Sequence, residues 1–248
     1  MRAWAVMRKE LVTYFSGPLV YVVVGVFLTV TGYQFYTTLQ GYVQIGFGMN
    51  ILDNFWQEFF VHHIGRYLLI VVPLFTMRLL AEERRLGTIE LLYTYPLRDS
   101  EIMLGKFAAC LTVFLVFLAG TLLYPAIVYW LQPFDLMPFL ARYLGAILFL
   151  ASCIACGLFI SSLTDSQVVA SSCTLVILLL FWIVTWNEAA VNSSLLTALS
   201  QLSTFDHFWA FTRGVIDLKD VTYFVLFIAF FLFLTLRSMD SRQWRGRR

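Results

Sequence analysis

Six long apolar runs dominate this 248-residue chain. A helix needs about 20 mainly apolar residues to cross a hydrocarbon layer of about 30 Å. The sequence therefore predicts six transmembrane helices, at residues 19–36, 60–80, 104–131, 139–163, 168–186 and 221–236. Apolar residues make up 60% of the chain and charged residues 13%, against averages of about 45–50% and 25% in soluble domains. An ordinary soluble enzyme is excluded.

The residues left between these runs are too few for a second domain, so the sequence predicts one all-α membrane domain over residues 1–248. An amphipathic helix in the headgroup plane is expected at the N terminus, because Trp4 and Leu11 share one face while Arg8 and Lys9 share another. An embedded extension of the first span is the alternative. This N-terminal helix covers residues 1–17. The other segments are a cytoplasmic loop at residues 81–103, an extracytoplasmic segment at residues 187–220 and a basic cytoplasmic tail at residues 237–248.

The basic residues are distributed unevenly between the two sides. Thirteen of the 17 fall on the side that holds both termini and the second-to-third loop. Loops rich in Lys and Arg stay in the cytoplasm, so both termini are predicted to be cytoplasmic, in a bacterial inner membrane. The net charge of +2 gives no electrostatic support for a nucleic-acid partner.

Polar residues that could carry chemistry do not form a recognisable catalytic pattern. Cys153 and Cys156 have CxxC spacing but lie within a predicted span with no second pair. Two clusters of ionisable residues are predicted near the membrane surface: Asp206 with His207, and a cluster near the start of the second span formed by Asp53, Glu58, His62, His63 and Arg66. Their shallow position in the membrane favours a solvated rim over a metal or proton site. The prediction is a non-enzyme without catalytic, cofactor or metal sites.

No phosphate-binding loop is present, because Ser100 stands where the first glycine of that motif belongs and Phe107 where its hydroxyl belongs. Any ATP and magnesium would therefore bind a separate subunit.

The cytoplasmic loop, AEERRLGTIELLYTYPLRDSEIM over residues 81–103, is the most informative stretch. The second span is predicted to continue as a helix to Arg85, with Gly87 at its C-terminus and Thr88 capping a short helix that Pro96 ends. Asp99 is predicted to cap the third span. The apolar residues of the loop exceed what it can bury against itself, which favours docking of another protein over packing on the membrane or N-terminal helix.

These residues resemble the permease subunits of ABC-2 type ABC transporters, over the whole chain. The shared positions are the acidic-basic stretch, Gly-Thr-x-Glu-x-Leu, a proline, a short acidic helix and Gly105-Lys106. The resemblance implies a type V exporter-like fold, a dimer with a second or related permease, and a loop that contacts the ATP-binding subunit. The implied coupling residues are Glu82, Glu83, Gly87, Thr88, Ile89, Glu90, Leu91, Leu92, Pro96, Arg98, Asp99, Glu101 and Lys106.

A second stretch resembles the gliding-motility-associated branch of these permeases, on Phe205-Asp206-His207-Phe208, on residues 212–217 and on the basic tail. That resemblance implies a membrane partner with a large extracytoplasmic domain. The aromatic and basic residues expected to contact it are Phe205, Phe208, Trp209, Phe211 and Arg213.

Two functions follow as hypotheses. The first is an ATP-driven permease half, for export or extracytoplasmic work on an unidentified substrate. The second is a mechanotransmitting or scaffolding subunit that moves an extracytoplasmic partner without a solute path. An ion-coupled carrier is disfavoured, because the span centres hold almost no ionisable residues.

Overall fold

The structure is a computed structural model that describes residues 2–45, 49–87, 98–131, 133–183 and 202–243. All regular structure in these ranges is helical. One segment, Phe59–Gly65, is π-helical. The α-helices are α1 (Arg2–Ser16), α2 (Pro18–Ile45), α3 (Met49–Glu58), α4 (Arg66–Thr76), α5 (Ala81–Arg85), α6 (Asp99–Thr121), α7 (Leu123–Leu131), α8 (Leu136–Leu163), α9 (Gln167–Ile183), α10 (Thr204–Thr212) and α11 (Leu218–Gln243).

Within the described ranges, five helical stretches are long and apolar enough to cross a membrane: Pro18–Tyr42, Asp53–Arg85, Asp99–Leu131, Leu136–Leu163 and Leu218–Ser241. The apolar part of α9, Gln167–Trp182, is shorter. The predicted fifth span continues into residues 184–186, which lie outside the described residues, so the count of six stays a prediction. The helices run beyond the apolar runs because polar residues at their ends continue the backbone hydrogen bonding.

Helix α8 is the centre of the bundle, and 78% of its most apolar window is buried. It packs against α4, α6, α9, α10 and α11. Close packing depends on small residues: a Cβ at Gly157 would collide with the Thr76 side chain, and one at Gly145 with Phe211. By contrast, only 22% of the corresponding windows of α2 and α11 is buried. The exposed faces of these two helices are apolar, as expected for contact with lipid.

Buried small polar residues pack between the helices. Cys110, Cys153 and Cys156 are buried and Cys173 is exposed, all as free thiols. Ser152, Ser161, Ser162 and Thr174 are also buried. In the part of the chain that the structure describes, no group of three or more His, Cys, Asp or Glu side chains is placed to hold a metal ion.

Candidate functional site

The N-terminal helix α1 packs directly on the start of α6. The contact centres on Gly105, where a Cβ would lie 2.8 Å from both the Ala3 carbonyl oxygen and the Val6 Cβ. Val6, Glu10 and Tyr14 follow at intervals of four, so they share one face of α1. Tyr14 continues the contact to Phe75 at the end of α4, with ring centroids 5.9 Å apart. Burial raises the pKa of the Tyr14 phenol well above its usual value, so the group stays neutral.

Lys106 lies at the centre of a buried ion cluster. Its Nζ is 2.8 Å from Glu10 Oε1 and 2.9 Å from Glu83 Oε1. The lysine side chain is only 2% exposed and the two carboxylates 13% and 16%. A buried cation is stable only with such partners. The cluster therefore ties α1, α5 and α6 together at the two ends of the segment 88–97.

The backbone beside that segment has defined ends. Gly87 has φ +68° and donates its N–H to the Arg84 carbonyl at 3.1 Å, which ends α5 in a conformation that suits glycine. On the other side, the residue that caps α6 is Arg98, whose N–H donates to Glu101 Oε2 at 3.0 Å. The predicted cap at Asp99 is wrong, because the Glu101 carboxylate satisfies the free N–H one residue earlier and Asp99 becomes the first helical residue.

The helix of the second span is interrupted before α5. α4 ends at Thr76, and Leu80 has φ −127° outside the helical range. The Ser161 hydroxyl of α8 accepts from the Leu80 and Ala81 N–H groups at 3.1 and 3.0 Å and donates to the Met77 carbonyl at 3.3 Å. The second span therefore continues in helical form to Arg85, as predicted, but with a break at residues 77–80. A side chain of the central helix replaces the helical bonds that the break removes.

The implied coupling residues are placed as follows. Lys106 is buried, while Glu82, Glu83, Asp99 and Glu101 are half-buried. Gly87 and Arg98 are exposed. Six lie outside the described residues: Thr88, Ile89, Glu90, Leu91, Leu92 and Pro96.

Two residues at this site were missed by the sequence interpretation. Glu10 was not recognised as a partner of Lys106, although a lysine that follows glycine inside an apolar helix requires a nearby acid. The shared face of Val6, Glu10 and Tyr14 was the available signal. Ser161 was interpreted only as a packing residue, since its bonding partners are 80 or more residues away in sequence.

At the other end of the bundle, only part of the predicted contact set reaches the surface. Phe208 and Phe211 are fully buried, because α10 packs its aromatic face on α8. Phe208 stacks on Phe149 at 4.8 Å. Phe205 and Trp209 are half-buried and Arg213 is exposed, and with His62 and Asp206 they line an open groove of about 650 Å³.

The polar cluster near the start of the second span is accessible, as predicted for a solvated rim, since Asp53, Glu58, His62 and Arg66 are exposed and His63 is half-buried. Arg142 is fully buried and its guanidinium donates to the Thr212 carbonyl and to Asp53 Oδ1, both at 2.8 Å. These two bonds join α8 to the end of α10 and to α3.

For His207 the solvated-rim prediction is wrong. It is 6% exposed and its Nδ1 lies 2.6 Å from Asp220 Oδ1. Its ring stacks on Tyr223 at 3.9 Å. The rim interpretation fails here because α10 folds back onto the first turn of α11.

Comparison with known families decides the identity. The family model for the ABC-2 family transporter protein matches residues 4–240. The chain belongs to this family. The match confirms the resemblance drawn from residues 82–106, and it covers α1 and the helices as far as Asp240 in α11. The comparison with curated proteins gave no match.

Family membership gives the protein its general role. An ABC-2 permease is the membrane component of an ABC transporter, a multi-pass protein that works with an ABC ATPase subunit. The five long apolar helices agree with that assignment.

Proposed function

We propose that residues 81–103 receive the ATPase of this ABC transporter and pass its motion to the transmembrane helices. The proposal includes a dimer, formed with a second copy or a related permease, and places both termini on the cytoplasmic side of a bacterial inner membrane. ATP and magnesium bind the partner. The substrate class is open, with export or extracytoplasmic work as the direction.

The Lys106 cluster is the observation that carries this proposal. It joins Glu83, just before the segment 88–97, to Lys106, just after it, and joins both to Glu10 of α1. Because the three charges are buried, separating them is costly. A push on the segment therefore displaces α1, α5 and α6 together rather than one helix alone.

Ser161 supplies the next step in the proposed transmission. The break at residues 77–80 prevents α5 from acting as a lever continuous with α4. The three hydrogen bonds of Ser161 instead attach the break to α8, which packs against most of the bundle. Motion at the loop is thereby delivered to the central helix.

The test is co-purification with the ATP-binding subunit. A double variant, Glu90→Lys with Leu91→Asp, is expected to lose the ATPase subunit during purification, since it reverses a charge and removes an apolar contact. Its helix content and unfolding temperature should match those of the parent protein. Retention of the ATPase subunit at the parent level would contradict the proposed contact.

A mechanotransmitting role is the second candidate. It is favoured by the open groove at the opposite end, where Phe205, Trp209 and Arg213 remain accessible. The Arg213 guanidinium lies 5.9 Å from the Trp209 ring centroid, which holds a charge beside an apolar surface. This candidate includes placement in the gliding-motility-associated branch. Proteoliposomes distinguish the two roles, because with a force-transmitting subunit the partner hydrolyses ATP but no solute crosses the membrane.

A further inference from the structure

A cavity of about 370 Å³ lies between α1, the end of α4 and the start of α6. Its volume falls in the range of small-ligand sites. The Glu10–Lys106–Glu83 cluster forms one wall, and Lys9, Arg78 and Glu82 extend the charged lining. The rest of the lining is mainly apolar and includes residues of two spanning helices.

The apolar end faces the lipid-contacting surface of the bundle. It is lined by Leu19 and Val20 of α2 and by Leu74 and Phe75 of α4. Leu19 and Leu74 are 36% and 43% exposed on helices that span the membrane. Gly17, between α1 and α2, also lines the cavity. The cavity is therefore charged at the helix ends and mainly apolar along the two spanning helices.

The charges of the lining include both signs. Among the residues that the structure describes, Lys9, Arg78 and Glu82 have no ion-pair partner within 4 Å. Lys106 is already bound by two carboxylates. The cavity thus presents two cations suited to a phosphate and a separate acidic group suited to a cation.

We propose that this cavity binds a phosphatidylethanolamine from the leaflet beside α1. Arg78 and Lys9 bind its phosphate, Glu82 accepts from its ammonium group, and its acyl chains lie along Leu19 and Leu74. Pockets between transmembrane helices that bind lipid headgroups are usually basic. The mixed charge here selects a zwitterionic headgroup, and the acidic side selects an ammonium that can donate hydrogen bonds over a choline that cannot.

The test is lipid titration of the purified full-length protein followed by native mass spectrometry. The probes are dioleoyl phosphatidylethanolamine, phosphatidylglycerol and phosphatidylcholine, each added alone. Arg78→Ala should weaken phosphatidylethanolamine binding by about tenfold, the usual effect of losing one charge-assisted hydrogen bond. Glu82→Gln should weaken it by a similar factor while phosphatidylglycerol binding stays equal or tightens, because a repelling carboxylate is removed.

Arg85→Ala is the matched control, since Arg85 is an exposed arginine on the same side that does not line the cavity. Lys9→Ala, on the exposed surface of α1, repeats the phosphate test if Arg78→Ala does not fold. The proposal requires that the parent protein and Arg85→Ala bind phosphatidylethanolamine alike and more tightly than the other two lipids. Equal binding by Arg78→Ala and Arg85→Ala would overturn the site. Equal binding of phosphatidylglycerol or phosphatidylcholine by the parent protein would overturn the ammonium contact. The result does not depend on the ATPase contact proposed above.

Discussion

Replacing Ser161 by alanine should open the junction between α4 and α5. The hydroxyl accepts two buried N–H groups, from Leu80 and Ala81, at 3.1 and 3.0 Å. Both residues are fully buried, so water does not replace the lost acceptor. Each unsatisfied group costs about 1–3 kcal/mol, so the two together predict a loss of about 2–6 kcal/mol.

Hydrogen exchange measures this loss where it occurs. If opening of the junction governs exchange, a loss of about 2 kcal/mol speeds exchange of peptides covering residues 77–86 by roughly 30-fold. Ser162→Ala is the control, because the Ser162 hydroxyl donates only to the Phe159 carbonyl within its own helix. Exchange that is equally slow in the two variants would refute the argument that Ser161 replaces the missing helical bonds.

Three further substitutions test the remaining contacts by thermal unfolding in detergent. Lys106→Ala should destabilise the protein by about 3–5 kcal/mol, because it leaves the Glu10 and Glu83 carboxylates together without their cation. Adding Glu10→Gln and Glu83→Gln to this variant should restore part of the lost stability. The absence of any restoration would contradict the ion cluster. Gly105→Ala should cost about 1–3 kcal/mol by pushing α1 from α6, whereas Gly25→Ala, with open space around its Cβ, should cost little. Arg142→Ala should cost about 1–3 kcal/mol, because the buried Thr212 carbonyl loses its donor; a change as small as that of the exposed Arg66→Ala would argue against it.

The apolar runs predict the helices well because lipid requires an uninterrupted apolar stretch and satisfied backbone groups. The end of α5 at Gly87 also follows from local chemistry, since glycine readily adopts the positive φ found there. These features depend on neighbours in sequence, and a single sequence contains them.

The site depends on contacts that are distant in sequence. Lys106 is recognisable as unusual, but its partner Glu10 lies 96 residues away, and only packing at Gly105 brings the two together. The break at residues 77–80 is invisible for the same reason. It contains no proline or glycine, and it is stabilised by Ser161 of another helix.

Phe208 and Phe211 show a partner contact that the sequence suggests and the fold does not support. Aromatic residues in a predicted surface segment suggest a contact with a partner, yet the helix that carries them turns this face toward α8. Sequence patterns identify an apolar face without identifying what covers it.

The central claim is that the segment between α5 and α6 couples ATP hydrolysis to the helices. The most direct measurement is the ATP hydrolysis rate of the complete complex in proteoliposomes, with the parent permease and with Glu90→Lys combined with Leu91→Asp. Leu218→Asp with Lys219→Glu makes equivalent changes at exposed positions at the far end of α11 and serves as the control. The account predicts that the coupling variant lowers the permease-stimulated rate to that of the ATPase alone while the control keeps the parent rate. Full stimulation by the coupling variant would contradict the account.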